Sequence, residues 1–193
     1  MKRVRKPILQ AEYKKLMRYV NTEEMKEWKR KNIQRAFVLL FYTGIRLNEI
    51  NQITNRHIKE LIEDKETIIY TSKTDKERLL LISDTAVKEI KKYFDTEDNE
   101  NNEDNENRVI APFGNPRKSF NNISLISTVN KEIQKALGNQ YSSHSFRSGL
   151  ISSFMENGIN PKVVKEFIGH SSIQTTLGYY KPSNETIRNS LVR

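Results

Sequence analysis

Three places in this chain gather cationic and histidine side chains. Arg46 lies where a new helix is predicted to begin, and His170 lies in a short loop. His144 and Arg147 lie three residues apart near another predicted helix start. A helix start offers free backbone N–H groups and a favourable dipole, and a guanidinium adds a forked pair of donors. These places are therefore suited to hold a phosphate or another oxyanion.

Two tyrosines, Tyr179 and Tyr180, come nine and ten residues after His170. From these residues alone, plainer explanations stay open. Arg46 can form a weak surface ion pair with Glu49, His170 can be an ordinary loop residue, and the tyrosines can edge the core. A metal site built from the three histidines of the chain is disfavoured, because there is no cysteine and no HxxxH spacing.

The charge of the chain points to a polyanionic partner. The 193 residues include 33 Lys and Arg against 24 Asp and Glu, a formal net charge of +9. Residues 95–107 (DTEDNENNEDNEN) hold seven of the acidic residues and no basic one, so the rest of the chain carries +16. A folded body of that charge repels itself unless it meets a polyanion, usually DNA or RNA. The acidic run has no apolar residue to bury and is predicted to be a disordered loop.

Composition also excludes several classes of protein. No apolar run approaches the roughly 18 residues of a membrane span, and the basic start over 1–6 is not followed by the apolar segment of a signal peptide. The absence of cysteine excludes disulfides, zinc knuckles and thiol nucleophiles. The sequence favours a soluble intracellular protein of the cytoplasm or nucleoid, with neither a membrane partner nor a small-molecule substrate.

Apolar spacing predicts a mainly helical chain. Helices are predicted over 9–20, 22–42, 46–54, 84–94, 121–137, 143–157, 161–168 and 172–180. TIIYT (67–71) and LLLI (79–82) are predicted to be strands joined by a polar hairpin over 72–78, with 57–61 as a candidate third strand. The fold class is thus mainly α with a small antiparallel β-sheet (α+β). Residues 1–8 are a basic linker stub, 9–181 the folded domain, and 182–193 a tail with room for a short helix.

Local signals mark where the helices should begin and end. The second helix is expected to open in a capping box of Asn21 and Glu24 and to stop at Gly44. Asn160 should cap the helix that begins at the next residue, a proline, and Gly169 should end it. Phe146, Leu150 and Phe154 recur every four residues and are expected to anchor the helix over 143–157 to the core.

Five motifs occur in an order that resembles one known family. They are TGIRLNEI (43–50), Lys73 in the hairpin, HSFR (144–147), IGHSS (168–172) and Tyr179. Together they resemble the catalytic domain of the tyrosine recombinases, which include the phage integrases and the chromosome-dimer recombinases. The resemblance covers residues 7 to 181, so the segment 9–181 is identified as that catalytic domain.

The resemblance implies a cofactor-free and metal-free reaction on double-stranded DNA. Tyr179 would attack a phosphodiester, leaving a 3′-phosphotyrosyl link and a free 5′-hydroxyl. Arg46 and Arg147 would clamp the non-bridging oxygens. Copies of the chain would associate on DNA as a tetramer.

It also implies proton-transfer and supporting roles for four other residues. His144 would accept the proton of the tyrosine, and Lys73 would protonate the leaving oxygen. His170 would hydrogen-bond the phosphate, and Glu49 would orient the cationic cluster. Ser148 stands where the family often has a histidine.

Two other functions stay open at this point. A type IB topoisomerase uses a similar set of arginine, histidine and tyrosine, and a non-catalytic DNA-binding module could keep the same fold. Within the enzyme hypothesis, Tyr180 is the alternative to Tyr179, and Lys76 is the alternative to Lys73.

Overall fold

A computed structural model describes residues 5–71, 76–94, 104–180, 182 and 184–191. Its helices are α1 (Gln10–Thr22), α2 (Glu27–Thr43), α3 (Asn55–Glu63), α4 (Asp84–Tyr93), α5 (Asn122–Leu137), α6 (Ser143–Glu156), α7 (Pro161–Ile168), α8 (Ile173–Leu177) and α9 (Asn184–Ser190). Strands β1 (Glu66–Thr71) and β2 (Lys76–Leu81) pair antiparallel, with Ile69 opposite Arg78. A short 3-10 helix (Leu47–Gln52) links α2 to α3. The predicted fold class is confirmed.

Helix α2 runs through the centre of the domain and packs against α1, α4 and α6. Its second half is buried almost all round, as its apolar composition predicts. The ring of Phe37 lies 5.6 Å from that of Phe146, and both side chains are fully buried. Burying such a ring stabilises the fold by about 1.5–3 kcal/mol. This contact fixes the first turn of α6, where the HSFR motif lies, against α2.

The other apolar residues of α6 position α7. Leu150 and Phe154 are half-buried in a smaller cluster with Val164 and Ile168 of α7. Asn160 caps α7 by accepting the Lys162 N–H at 2.9 Å, as predicted. Helix α7 is therefore held at both its start and its apolar face.

Two helices end at glycines beside the candidate site, as predicted. Gly44 ends α2 and Gly169 ends α7 with φ of 61° and 71°, a backbone conformation that glycine adopts without strain. A Cβ at Gly44 would lie 2.9 Å from the Leu150 side chain. The two stops place the free carbonyls of α2 and α7 next to each other.

The predicted boundary between the first two helices is wrong. Helix α1 continues to Thr22, whose hydroxyl donates to the Arg18 and Tyr19 carbonyls of the preceding turn, and α2 begins only at Glu27. Asn21 is not a cap: its side-chain oxygen accepts the Gln34 amide N–H at 2.7 Å. Asn21 belongs to the last turn of α1 and Glu24 to the connection, so this pattern does not open α2.

The candidate third strand over 57–61 is also wrong, because these residues belong to α3. Ile58 and Leu61 are buried at helical spacing, and His57 Nδ1 lies 2.8 Å from the Thr54 hydroxyl at the helix start. Five residues with mixed polarity fit both periods, and tertiary packing selects the helix. Two other predicted helices are shorter than expected: 46–54 is the 3-10 helix Leu47–Gln52, and 172–180 reduces to α8.

Part of the acidic run that was predicted to be disordered has regular structure. Asp104–Glu106 form a 3-10 turn, and the Asn107 carbonyl accepts the Asn55 N–H at 3.0 Å. Residues 95–103 lie outside the described residues. Across the described part of the chain, no helix is both long enough and apolar enough to cross a membrane.

Candidate active site

Arg46 is fixed by Glu49, three residues later on the 3-10 helix. One carboxylate oxygen accepts the Arg46 backbone N–H at 2.9 Å, and the other accepts its guanidinium at 2.8 Å. Glu49 is only 4% exposed, so this is a desolvated pair and not the weak surface pair that spacing alone allows. A second guanidinium nitrogen donates to the Gly169 carbonyl at 3.3 Å. The 3-10 helix and the end of α7 thus hold one arginine between them.

Arg147, in the second turn of α6, is 4% exposed and donates to three groups. Its guanidinium donates to the Gly44 carbonyl at 2.6 Å, to the Ile168 carbonyl, and to Nε2 of His170 at 3.4 Å. The two carbonyls belong to the C-terminal ends of α2 and α7, where the helix dipole favours a cation. The helix ends at Gly44 and Gly169 therefore provide the carbonyl groups that hold the Arg147 guanidinium.

The local field of this cluster is positive. Burial first, and then the neighbouring guanidiniums of Arg46 and Arg78, lower the pKa of Arg147 to about 9. It remains protonated at neutral pH. Three guanidiniums around the single carboxylate of Glu49 leave the cluster short of negative charge, which an incoming oxyanion would supply.

His170 links this cluster to Tyr179. Its ring stacks on the Tyr179 ring, with centroids 5.7 Å apart and an interplanar angle of 21°. The other imidazole nitrogen, Nδ1, lies 2.9 Å from the hydroxyl of Thr176 in α8, which orients the ring. Burial and the nearby charges of Arg147 and Arg46 lower the pKa of His170 to about 4, so the imidazole is neutral at neutral pH.

The position of Tyr179 depends on the short helix α8. The Tyr179 N–H donates to the Thr176 carbonyl at 3.2 Å, just past the end of that helix. Its side chain is 36% exposed, in contrast to the buried Arg147. Tyr180 instead lines an apolar groove together with Phe154 and Phe167.

A small pocket of about 210 Å³ opens between α6 and the 3-10 helix. Arg46, His144 and Arg147 line it, together with Arg5 from the chain start. His144 is exposed at the rim, and desolvation of its ring together with the arginines, Arg5 first, lowers its pKa. A neutral imidazole beside these three guanidiniums can accept a proton next to a bound anion.

A sequence comparison identifies the family of the chain. The sequence model of the phage integrase family matches residues 6–186 of the chain. The chain belongs to the phage integrase family. The resemblance inferred from the five motifs is confirmed.

Individual relatives are distant in sequence but close in fold. Tyrosine recombinase XerA of Pyrococcus horikoshii is 25% identical over 156 residues, which cover 80% of this chain and 52% of that protein. A crystal structure of XerA recombinase superposes with a TM-score of 0.70 at 17% identity, over 96% of this chain and 63% of that one. XerH site-specific recombinase in a post-cleavage complex with its difH substrate gives a TM-score of 0.66 at 15% identity, over 95% and 51%. This family member spans about half the length of the known relatives it matches.

In this family member, the fold brings six of the seven predicted site residues to one region. They are Arg46, Glu49, His144, Arg147, His170 and Tyr179. The seventh, Lys73, lies outside the described residues, and its role stays a prediction from the sequence. Among the described residues, no group of three or more His, Asp or Glu side chains is arranged to hold a metal ion.

Two basic residues of the site were missed at the sequence level. Arg5 belonged to the predicted linker stub, but its guanidinium donates to the buried hydroxyl of Ser142 and lines the pocket. The Lys6 N–H donates to the Gln140 carbonyl just before α6, and the Ile8 N–H donates to the Ser145 carbonyl in its first turn, which holds this segment in place. Arg78 was counted as a hairpin residue, yet it is 9% exposed and bound to Glu49 at 3.1 Å. Neither residue has a spacing that would have singled it out.

Proposed function

We propose that this chain is the catalytic part of a site-specific DNA recombinase that cuts and rejoins DNA strands through Tyr179. One observation carries the proposal: the fixed guanidiniums of Arg46 and Arg147 line one pocket, and Arg147 also donates to His170, whose ring stacks on that of Tyr179. The +16 charge outside the acidic run supports a nucleic-acid substrate. The DNA-bound state of the XerH relative supports the same substrate class.

The two arginines are suited to the charge that develops during phosphoryl transfer. In the transition state, negative charge concentrates on the non-bridging oxygens of the phosphate. Guanidiniums that are already held by backbone carbonyls need no reorganisation to stabilise that charge. Removing one such contact typically costs on the order of 3 kcal/mol of barrier. In this proposal the cationic side chains supply the charge that divalent ions supply elsewhere, so cleavage should persist in EDTA.

The proposed reaction requires two proton transfers, one from the attacking tyrosine and one to the departing oxygen. The Tyr179 oxygen forms a bond to phosphorus while the bond from phosphorus to the 5′-oxygen breaks. His144 takes the phenolic proton, for which its lowered pKa leaves it neutral at pH 7. Lys73 gives a proton to the departing 5′-oxygen. Attack by a 5′-hydroxyl on the phosphotyrosine reverses both transfers and rejoins the strand.

A nicked suicide duplex tests the proposal. Cleavage next to the nick releases a short fragment, which prevents religation and traps the covalent complex on a denaturing gel. A covalent band in wild type is expected, and DNA binding without a band would indicate a non-catalytic module instead. A junction assay with two DNA sites then separates recombination from relaxation of supercoils by a topoisomerase-like enzyme.

The leaving-group role of Lys73 has its own test. A 5′-bridging phosphorothioate leaves without needing a proton. It should restore cleavage by Lys73→Ala much more than by Arg147→Ala, and Lys76→Ala should cleave the ordinary phosphodiester normally. Equal rescue of the Lys73 and Arg147 variants would remove the assignment.

We also propose that copies of the chain assemble on DNA as a tetramer, in the cytoplasm or nucleoid where such DNA lies. An apolar groove of about 910 Å³, lined by α6 and the start of α1 among other segments, supports an association surface. The mass of the complex with a two-site substrate, measured in solution with and without residues 182–193, tests this step. A complex of one or two copies at saturating protein would contradict it.

A further inference from the structure

Arg78 on β2 is buried beside the arginine cluster and joins three elements. One guanidinium nitrogen donates to Glu49 on the 3-10 helix at 3.1 Å. The other donates to the Ile168 and Phe167 carbonyls at the end of α7, at 3.0 and 3.3 Å. The hairpin strand β2 is thereby tied to both elements that carry Arg46 and His170.

Two of the three acceptors of Arg78 also accept hydrogen bonds from Arg46 or Arg147, the two arginines proposed to bind the phosphate. The Glu49 oxygen that binds Arg78 also accepts the Arg46 backbone N–H. The Ile168 carbonyl that binds Arg78 also accepts the guanidinium of Arg147. A change at Arg78 therefore reaches both arginines through one shared acceptor each.

The backbone leaves room for this arginine and for little else. A Cβ at Gly169 would lie 2.4 Å from Cδ of Arg78, so α7 ends directly against the arginine side chain. His170 is the next residue. This close contact fixes the backbone position at the end of α7 and therefore the position of the His170 side chain.

Stability alone gives a poor reason to bury this charge. A third guanidinium next to two others costs desolvation and repulsion, and buried ion pairs can often be replaced by apolar side chains without loss of stability. Lysine would be a poor substitute, because one ammonium cannot present two divergent N–H groups to a carboxylate and a carbonyl. The acceptors that Arg78 shares with Arg46 and Arg147 give a reason, other than stability, for burying an arginine here.

We infer that Arg78 is a positioning residue for strand cleavage: it sets the spacing between Glu49 and the end of α7 at which Arg46, Arg147 and His170 meet one phosphate. The inference rests on the proposed function. Arg78 itself touches no part of the reacting phosphate and acts through Glu49 and Ile168.

The experiment compares Arg78→Gln and Arg78→Lys with a matched control, Arg35→Gln. Arg35 on α2 also donates to two backbone carbonyls, those of Tyr93 at 2.9 Å and Val109 at 3.1 Å, outside the candidate site. Three quantities are measured: the single-turnover cleavage rate of the suicide duplex at saturating protein, the Kd for DNA, and the melting temperature.

Arg78→Gln should lower the cleavage rate by about 100-fold, the loss that a small misplacement of catalytic groups can produce. Its Kd should stay within about 3-fold of wild type, because the exposed basic surface is unchanged. Arg78→Lys should lose about 10-fold, since it keeps the charge but not both contacts. Arg35→Gln should cleave within about 3-fold of wild type even though its melting temperature falls as far.

A double variant separates positioning from general destabilisation. If Arg78 acts through Glu49, then Arg78→Gln combined with Glu49→Gln should cleave no more slowly than about the slower single variant. Independent, multiplying losses would overturn the inference, and so would equal rate losses in Arg78→Gln and Arg35→Gln. If Arg78→Gln does not fold, Arg78→Lys carries the test, and a wild-type rate in that variant would overturn the inference. Wild-type protein that binds DNA but forms no covalent complex would overturn the proposed function, and with it the inference.

Discussion

The two halves of the candidate site are held in different ways. Arg147 is 4% exposed and bound to the ends of two helices and to His170, and Arg46 shares both oxygens of a buried carboxylate. Tyr179 is 36% exposed, stacks on a single imidazole, and follows a helix of five residues. A helix that short is marginal by itself and depends on packing, here against α7.

Under the proposed function, this difference corresponds to two distinct catalytic roles. Groups that stabilise charge act best when they are fixed before the reaction, because their reorganisation would otherwise add to the barrier. A nucleophile must approach the phosphorus and, once bonded to it, move with the DNA strand. We therefore expect changes in the arginine half to alter the rate in graded steps, and changes at the tyrosine to abolish the covalent product.

The largest effect should come from Tyr179→Phe. Without the hydroxyl no bond to phosphorus can form, so the covalent band on the suicide duplex should be absent while the Kd for DNA stays near wild type. Tyr180→Phe is the matched control and should retain the band, since Tyr180 lies at the apolar groove. A band in Tyr179→Phe that disappears in Tyr180→Phe would reverse the assignment and break the comparison.

Arg147→Ala should have the next largest effect, a fall of about 100- to 1000-fold in single-turnover cleavage, the cost of losing one preorganised electrostatic contact. Arg147→Lys should recover little, because an ammonium cannot occupy two helix ends and the imidazole together. Rates are measured at saturating protein so that weaker binding does not contribute. A loss below about 10-fold would show that the fixed half is not where the phosphate charge is stabilised.

How far the sequence predicts this site depends on the distance between partners along the chain. Arg46 and Glu49, or His144 and Arg147, lie within one turn of each other, and local spacing brings each pair together before any tertiary structure is known. The glycines that end α2 and α7 were likewise legible, because their backbone conformation is a local property.

The remaining contacts join residues that are remote in sequence. Arg78 lies 29 residues from Glu49 and 90 from Ile168, and Arg5 lies 137 residues from Ser142. No periodicity marks such pairs, and both arginines looked like ordinary basic surface residues. The same limit explains the error at residues 57–61, where packing chose the helix between two equally compatible local patterns.

A comparison of two buried carboxylates sharpens the division further. Glu49 is bound by Arg46 and Arg78, whereas Glu132, 1% exposed, is bound by Tyr19 and Lys29 away from the pocket. Glu49→Gln should slow cleavage by about 10- to 100-fold, because it loosens Arg46, which is proposed to bind the phosphate. Glu132→Gln should lower the free energy of unfolding by about 2 kcal/mol and leave the cleavage rate unchanged. If the cleavage rate and the free energy of unfolding fall together in both variants, the loss of activity comes from disrupting a buried carboxylate and not from its position in the candidate site.

The buried histidine gives the arginine half a measurable pH dependence. His170 has a pKa of about 4 in the folded protein, below its usual value of 6.5, because of burial and neighbouring arginines. Between these values the unfolded chain binds a proton that the folded one does not, so stability falls as the pH is lowered. From pH 7.5 to 5.5 this should lower the free energy of unfolding, measured by urea titration, by about 1.3 kcal/mol.

His170→Gln should remove most of that dependence. His57 also has a lowered pKa, caused first by burial, and lies on α3 outside the candidate site, so His57→Gln shows how much of the dependence is unrelated to the cluster. An unchanged pH dependence in His170→Gln would mean that the arginines do not impose their field on this imidazole.

The smallest effect should come from Arg5, which shares the pocket with the arginine half but is held as lightly as the tyrosine. Arg5 is exposed, and its guanidinium donates to the buried hydroxyl of Ser142, so we expect it to meet a phosphate without contributing to the chemical step. Arg5→Ala should reduce the slope of log Kd against log salt by about 0.9, the change expected for one lost phosphate contact. Its cleavage rate at saturating protein should stay within about 3-fold of wild type.

Arg56→Ala is the matched control for Arg5, because that arginine already pairs with Glu60 at 2.9 Å and with Glu106 at 3.7 Å. Its charge is compensated within the protein, so the salt slope should not change. If Arg5→Ala also leaves the slope unchanged, Arg5 is a structural strap on α6 and not a DNA contact. If Arg5→Ala instead slows cleavage as much as Arg147→Ala does, then an exposed arginine with few contacts can contribute to the chemical step. In that case, burial would not distinguish the residues that drive the reaction from those that only bind DNA, and the contrast between the two halves of the site would be wrong.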